Sequence, residues 1–304
     1  MTDEIPATAL PDDFRCGYVA VVGRPNVGKS TLVNALVGQK VSITADKAQT
    51  TRHRILGIRT DADVQTIFVD TPGYQTRHTG ALNHSMNRAV TTALAQVDCV
   101  VFVVESLKFN DGDRAVLELI PRDIPTVLVL SKSDTAKDRN LMFPFVAARA
   151  AERDYAAVVP TSAQRNEGLT DLLSETRKHL PVTGPLFEAD DFTDRSARFL
   201  ASETIREKVF RLVGDELPYR TTVTIDKYEE EGNVHRILAT ILVESDSQRR
   251  ILIGAGGSRI KRIASEARVD LERMLGSTVW LEVWVKERGG WADSDASVRA
   301  HGYE

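Results

Sequence analysis

Gly23-Arg24-Pro25-Asn26-Val27-Gly28-Lys29-Ser30 has a glycine, four residues, then Gly-Lys-Ser, and it lies between the apolar run Tyr18–Val22 and the helical run Thr31–Val37. Strand, glycine loop and helix in this order make a phosphate-binding loop. The glycines let backbone N–H groups turn inward, and the helix N-terminus adds unpaired donors and partial positive charge. Gly23 through Thr31 are expected to line the phosphates of a nucleotide. Lys29 should reach the β- and γ-phosphates, and Ser30 should ligate Mg²⁺.

Three further segments end apolar runs. Asp70-Thr71-Pro72-Gly73 follows Val64–Val69. Asp70 can hold Mg²⁺ through a water, and the Gly73 N–H can meet a γ-phosphate. Ser131-Lys132-Ser133-Asp134 closes Thr126–Leu130. Asp134 can accept from the guanine N1–H and exocyclic amine, a donor pair that adenine lacks. The Lys132 stem can pack on the base. Thr161-Ser162-Ala163 follows Ala156–Pro160, where a backbone N–H can meet guanine O6. Ligands of open α/β sheets bind outside the carboxyl ends of strands, where all four segments lie. Residues 38–57 are polar, aperiodic and long for a connection, which points to function.

Apolar strand runs at Ile55–Arg59 and Cys99–Val104 complete an alternation with helical patterns at Ala81–Leu94, Asp113–Leu119, Leu141–Arg153 and Leu169–Leu180. This predicts an α/β domain over residues 17–181, with a mostly parallel sheet covered by helices on both faces. Residues 1–16 read as a tail and 182–198 as a linker rich in Pro, Gly and acids. Over 199–288 the order changes to α-β-β-α-α-β, a small α+β domain with helices on one face of three strands. Its hairpin is expected to turn at the acidic stretch Glu229–Asn233. Residues 289–304 read as a second tail. The loop Gly254-Ala255-Gly256-Gly257 falls between two helices of this unit and matches the GxxG loop of a KH domain, which clamps about four nucleotides. Arg259, Lys261 and Arg262 follow it and give a local basic patch.

Composition narrows the partners. With 42% hydrophobic and 27% charged residues over 304, the chain is globular, and its net charge of −4 leaves any nucleic-acid contact to local patches. Cys16 and Cys99 have no metal-ligand spacing and make no disulfide framework, which fits a reducing cytosol. No signal peptide or membrane span is readable.

The four strand-end segments resemble the signature elements of small GTPase-type P-loop proteins. Together with the GxxG domain, they make the chain similar to the Era-like GTPases with a C-terminal KH domain, of the TrmE-Era-EngA type. Gly23–Leu32, Lys47–Arg54, Gly214–Tyr219 and Glu266–Glu272 carry that match. The resemblance implies a GTPase that binds GTP and GDP with Mg²⁺, and a monomer. It implies binding near the 3′ end of 16S rRNA on the small ribosomal subunit, a role in subunit assembly and rRNA maturation, and a cytoplasmic place with peripheral contact to the inner membrane face. The resemblance also implies a first-switch threonine that reaches Mg²⁺: Thr50 and Thr51 are both candidates, and by register Thr51, just before Arg52, is the better one. Asn26 matches the residue that helps bind K⁺ in relatives whose catalytic glutamine is replaced. Here that position is Tyr74, with Gln75 one place late. Lys29, Thr51, Gly73 and Asn26 are then the catalytic candidates. Two departures stand out. Ser131 replaces an asparagine that braces the phosphate loop, and its shorter side chain should brace less. Ala255 replaces a common lysine. An alternative reading keeps a membrane-associated signalling GTPase whose second domain binds protein. Another, encouraged by Ser131, keeps an ATPase.

Overall fold

In the computed structural model, which describes residues 11–47, 49–75, 80–136, 138–214 and 221–289, the N-terminal half holds six strands and five helices. They are β1 (Arg15–Val22), α1 (Lys29–Val37), β2 (Ile55–Asp61), β3 (Val64–Asp70), α2 (Ala81–Leu94), β4 (Cys99–Glu105), α3 (Asp111–Leu119), β5 (Thr126–Ser131), α4 (Met142–Ala150), β6 (Ala157–Pro160) and α5 (Leu169–Arg177). The strands lie in the order β2-β3-β1-β4-β5-β6, and only β2 runs antiparallel. β1 and β4 are Val-rich because each strand is covered twice. Val19 and Val21 pack with Leu32, Leu36 and Leu172 on one face. Ala20, Val22 and Phe102 pack with Val90, Leu94 and Val116 on the other.

β1 begins at Arg15, paired with Val64, so the expected tail gives up its last two residues to the sheet. Residues 1–10 and 290–304 of the two expected tails, Ala48, and residues 215–219 of the matched stretch lie outside the described residues. The linker is pinned rather than slack. Leu186 and Phe187 donate their N–H groups to Gln65 Oε1, Gln65 Nε2 donates to Phe187 O, and Ile58 N donates to Phe192 O.

The second half holds α6 (Ala197–Leu212), β7 (Thr222–Glu231), β8 (Val234–Val243), α7 (Asp246–Ile253), α8 (Ser258–Leu275) and β9 (Thr278–Glu287). β8 is the middle strand, antiparallel to β7 and parallel to β9. Ile205, Val209, Leu252, Ile263 and Leu271 of the helices pack on Ile237, Ala239 and Ile241 of the sheet. The acidic stretch is not a five-residue turn. Both strands continue to Glu231 and Val234, and Gly232-Asn233 alone makes the hairpin, with Gly232 at φ 60°. None of the described helices is long and apolar enough to cross a membrane.

Candidate functional site

β1 delivers the loop 23–28 to the N-terminus of α1. Gly28, at φ 99°, makes the last turn into the helix, a conformation that costs a side chain dearly. Lys29 is buried, and its ammonium donates to Gly23 O and Arg24 O at 3.0 Å each. An ammonium has three donors, so one remains for a phosphate oxygen. Burial pulls the Lys29 pKa down to about 8, and the Asp70 carboxylate works against that. Arg24 is held out of the way by buried Asp113 of α3, with Nε 3.1 Å from Oδ2.

β3 brings Asp70 up beside this loop. Ser30 Oγ and Thr51 Oγ1 are 2.6 Å apart, and Thr51 Oγ1 lies 3.4 Å from Asp70 Oδ2. Asp70 is fully buried, and its Oδ1 has no hydrogen-bond partner. Burial raises its pKa, and Lys29 opposes the rise. Two hydroxyls and a carboxylate with a bare buried oxygen form a hard-oxygen donor set that fits Mg²⁺. Gly73 is pressed so closely onto the loop that a Cβ there would sit 2.7 Å from Pro25 Cα and N. The neighbouring Thr71 Oγ1 donates to Val21 O at 2.8 Å and anchors the turn that also carries Pro72. Tyr74 packs into the apolar cluster around Val22 and Phe102. Gln75 is engaged by α2, its Nε2 3.0 Å from Asn83 Oδ1 and its carbonyl accepting from Asn87.

At the base end Ser131 braces the phosphate loop through one hydroxyl bond: its Oγ donates to Val27 O at 2.6 Å. Lys132 is in the left-handed region at φ 54°, and its Nζ reaches Asn26 O at 2.9 Å and Glu105 Oε2 at 3.2 Å. Ser133 opens a single 3₁₀ turn that carries Asp134. The Ser162 hydroxyl beside Asp134 holds that carboxyl below the usual range. Ser133 N donates to Thr161 O, which ties the two base-end segments together, and Ala163 packs under them on the core. Asn26, at φ 64°, donates from Nδ2 to Asp46 O at 3.4 Å, so it faces the first switch.

That switch is not a surface loop. Val41, Ser42, Ile43, Thr50, Thr51 and Arg52 are all buried. Asn34 of α1 holds its start, with Oδ1 accepting from Val41 N and Ser42 N at 2.9 Å. α6 of the second domain holds the rest. Thr44 N and Oγ1 donate to Glu207 Oε1 at 3.3 Å, Arg211 donates to Thr44 O and Oγ1, and Arg206 Nη2 donates to Thr50 O at 2.6 Å. Lys47 Nζ reaches Val213 O, and Arg52 Nη1 donates to Thr221 O at 2.9 Å. The sequence reading missed this interface. Glu203, Arg206, Glu207 and Arg211 have the spacing of solvated helix pairs, which gives no sign of a partner 150 residues away.

In the second domain, Gly254–Gly257 joins α7 to α8, with Gly254 and Gly257 at positive φ and Ala255 and Gly256 exposed. The patch after it is less bare than the sequence suggests. Arg259 Nη1 donates to Ile251 O, Arg262 pairs with Glu266 at 2.8 Å, and Arg249 and Arg250 share Asp246. Lys261 is exposed and makes no ion pair among the described residues.

A mostly parallel sheet with a phosphate loop after β1 and guanine-type elements after β3, β5 and β6, followed by an α-β-β-α-α-β unit with a GxxG loop, defines a P-loop GTPase with a KH domain. The comparisons agree. Residues 18–132 match the family model described as 50S ribosome-binding GTPase, and residues 216–292 match the KH domain. GTPase Era of Bordetella avium is 56% identical over 96% of this chain and 98% of its own length. That of Neisseria meningitidis serogroup A is 50% identical over 96% and 95%. Among solved structures, an Aquifex aeolicus Era variant bound to GDP and AlF4⁻ superposes with a TM-score of 0.92, at 35% identity over 95% of this chain and 99% of that one. An Era complex with MgGDPNP and nucleotides 1506–1542 of 16S ribosomal RNA superposes equally well, with the same identity and coverage. The chain belongs to the Era family of GTPases.

Proposed function

We propose that this GTPase is a nucleotide-driven switch that binds the 3′ region of 16S rRNA through its KH domain and acts in small-subunit assembly and rRNA maturation. One observation carries the reading: the switch segment beside the nucleotide loop is built into the interface with the RNA-type domain, through Arg206, Glu207 and Arg211. A relative of the same architecture holds MgGDPNP and that rRNA segment together.

In this reading the backbone of residues 23–31 cradles the phosphates, Lys29 meets the β- and γ-phosphates, and Gly73 N–H meets the γ-phosphate. Ser30, Thr51 and Asp70 hold Mg²⁺, which supplies charge neutralisation when bound. Asp134, with Lys132 and the segment Ser162-Ala163, selects guanine. Phosphoryl transfer needs positioning and charge stabilisation more than covalent chemistry. Tyr74 and Gln75 are engaged elsewhere and do not orient the attacking water, and Asn26, which faces the first switch, would help hold a K⁺ that would neutralise charge on the transferring phosphoryl group. Hydrolysis should therefore be faster in K⁺ than in Na⁺, and Asn26→Ala should erase the difference. Equal rates in both salts would remove the cation. The exposed Gly254–Gly257 loop and Lys261, with Arg259 and Arg262 released from their present partners, take the RNA backbone. The chain acts as a monomer in the cytoplasm, with peripheral contact to the inner membrane face, as in the family it resembles.

The test is crosslinking of the full chain to total RNA with GTP, GDP or no nucleotide, followed by sequencing. Enrichment of 16S 3′ sequence that depends on the nucleotide supports the reading. Recovery of no transcript in any state, with a protein partner retained instead, would replace it with the signalling alternative.

A further inference from the structure

α6 has two buried faces. Ala201, Ile205 and Val209 face the KH core. Buried Glu203, Arg206, Glu207 and Phe210, spaced three and four residues apart and continued by exposed Arg211, form a second stripe along the first switch from Thr44 to Arg52. Arg206 is the centre of that stripe. Its side chain is 1% exposed. Its Nε and Nη2 grip both oxygens of Glu203 at 2.7 and 2.6 Å, and Nη2 also donates to Thr50 O at 2.6 Å. Its guanidinium lies 5.1 Å from the centroid of the Phe210 ring, and Arg52 lies 5.5 Å from the same ring.

The consequence lies in the peptide plane. The Thr50 carbonyl and the Thr51 N–H belong to one rigid trans unit, so fixing the oxygen fixes the direction of the N–H. Arg52, on the other side of Thr51, is tied to Thr221 O. Thr51 is thus held from both flanks by the second domain, while its own hydroxyl faces Ser30 and Asp70. A buried ion pair such as Glu203–Arg206 adds little net stability but imposes a definite geometry.

We propose that Arg206, oriented by Glu203, is a positioning residue for GTP hydrolysis: the KH-side helix sets the Thr51 peptide against the γ-phosphate and Mg²⁺. This rests on the role of Thr51 given above and goes beyond it by making the GTPase site incomplete without α6.

The test compares the full chain with Arg206→Lys and with the double variant Glu203→Gln/Arg206→Met. The lysine keeps the charge beside Glu203 and loses the planar fork. The double variant removes the pair together, so that no buried charge is left alone. In both, kcat should fall roughly tenfold to a hundredfold while KM for GTP and the affinity for GDP stay within about twofold. Hydrogen exchange of residues 44–53 in the GDPNP complex should rise above that of the parent, at an unchanged level in the sheet. Unchanged kcat with unchanged exchange would overturn the proposal. So would a parallel loss of kcat, GDP affinity and sheet protection, which would mark Arg206 as structural only. Thr51→Ala separates the two layers. If it leaves kcat and Mg²⁺-dependent GDPNP affinity intact, the Thr51 reading and this inference both fall. If it abolishes them while the Arg206 variants do nothing, only this inference falls.

Discussion

Single atoms decide the two properties most exposed to test. The first is base choice. Asp134, just after β5, can take two guanine donors, and the Ser162 hydroxyl beside it holds its carboxyl below the usual range. A site built around such a pair rejects a base lacking it far more strongly than a shape filter does. Asp134→Ala should bring GTP binding down to the level of ATP while leaving the phosphate end able to bind inorganic pyrophosphate. A competition assay in which the variant still prefers GTP would show that the base lies elsewhere. The second is pH. His53 sits in the domain interface, edge-on to Phe199 with ring centroids 5.2 Å apart. Burial lowers its pKa from 6.5 to about 4, against a smaller upward pull from Glu203. Below its ordinary value the unfolded chain binds a proton that the folded chain refuses. Stability is therefore fully present above about pH 6.5 and is lost as pH falls through that value toward 4. The slope is that of one proton, at most about 1.4 kcal/mol per pH unit. Urea unfolding of the parent and His53→Phe across this window checks it: the variant should lose that part of the slope.

Segments behave differently from atoms, because each is held by what packs on it. The turn after β3 and the phosphate loop touch backbone to backbone at Gly73 and Pro25. No flexible side chain can yield there, so Gly73→Ala must push the turn away from the loop. The turn is proposed to meet only the γ-phosphate, so affinity for GDPNP should drop by about tenfold or more, while GDP affinity changes little. Calorimetry with both nucleotides checks this, and an equal loss for both would mean the loop itself had been deformed. The same distinction explains what was readable in the sequence. The nucleotide elements were legible because each is local, a few residues at the end of an apolar run. The mostly parallel sheet, the KH unit and most element bounds followed from the same alternation, whereas the strand order β2-β3-β1-β4-β5-β6 came only from the fold. The way Ser131 braces the loop was not readable, because only the fold shows how close Val27 O lies to its hydroxyl. The burial of the polar switch segment could not be read from its own residues, because beyond its start, held by Asn34, it is covered by α6, far along the chain. α6 itself shows one apolar stripe, and its polar stripe reads as solvated until the partner is seen. Long-range burial of paired charge leaves no local pattern.

Across the whole molecule the question is whether two sites are coupled, and the contacts give a path. Lys40, at the start of the switch, bonds Glu207 of α6 and lies 3.0 Å from Asp270 of α8, which also holds Lys208. Glu207 is fully buried and takes Thr44 and Arg211 as well. α8 begins at Ser258, directly after the GxxG loop. A rearrangement of residues 38–54 around a γ-phosphate would therefore strain a cluster that anchors the RNA loop's own helix. A ligand shifts such an equilibrium only through unequal contacts with the two states, which the γ-phosphate supplies and GDP does not. Coupling is then reciprocal. If GDPNP in place of GDP changes affinity for a 16S 3′-end oligonucleotide by some factor, the oligonucleotide must change the GDPNP-over-GDP preference by the same factor, typically about 5- to 150-fold. Filter binding under each nucleotide and calorimetry with and without RNA give the two sides of that cycle. Glu207→Gln, which weakens the hold on Lys40 and Arg211 without removing an acceptor for Thr44, should move both factors toward one together. A factor of one in the parent would sink the switch. A factor unchanged in Glu207→Gln would leave the switch standing but route it past this cluster, through the remaining contacts Arg206–Thr50, Lys47–Val213 and Arg52–Thr221.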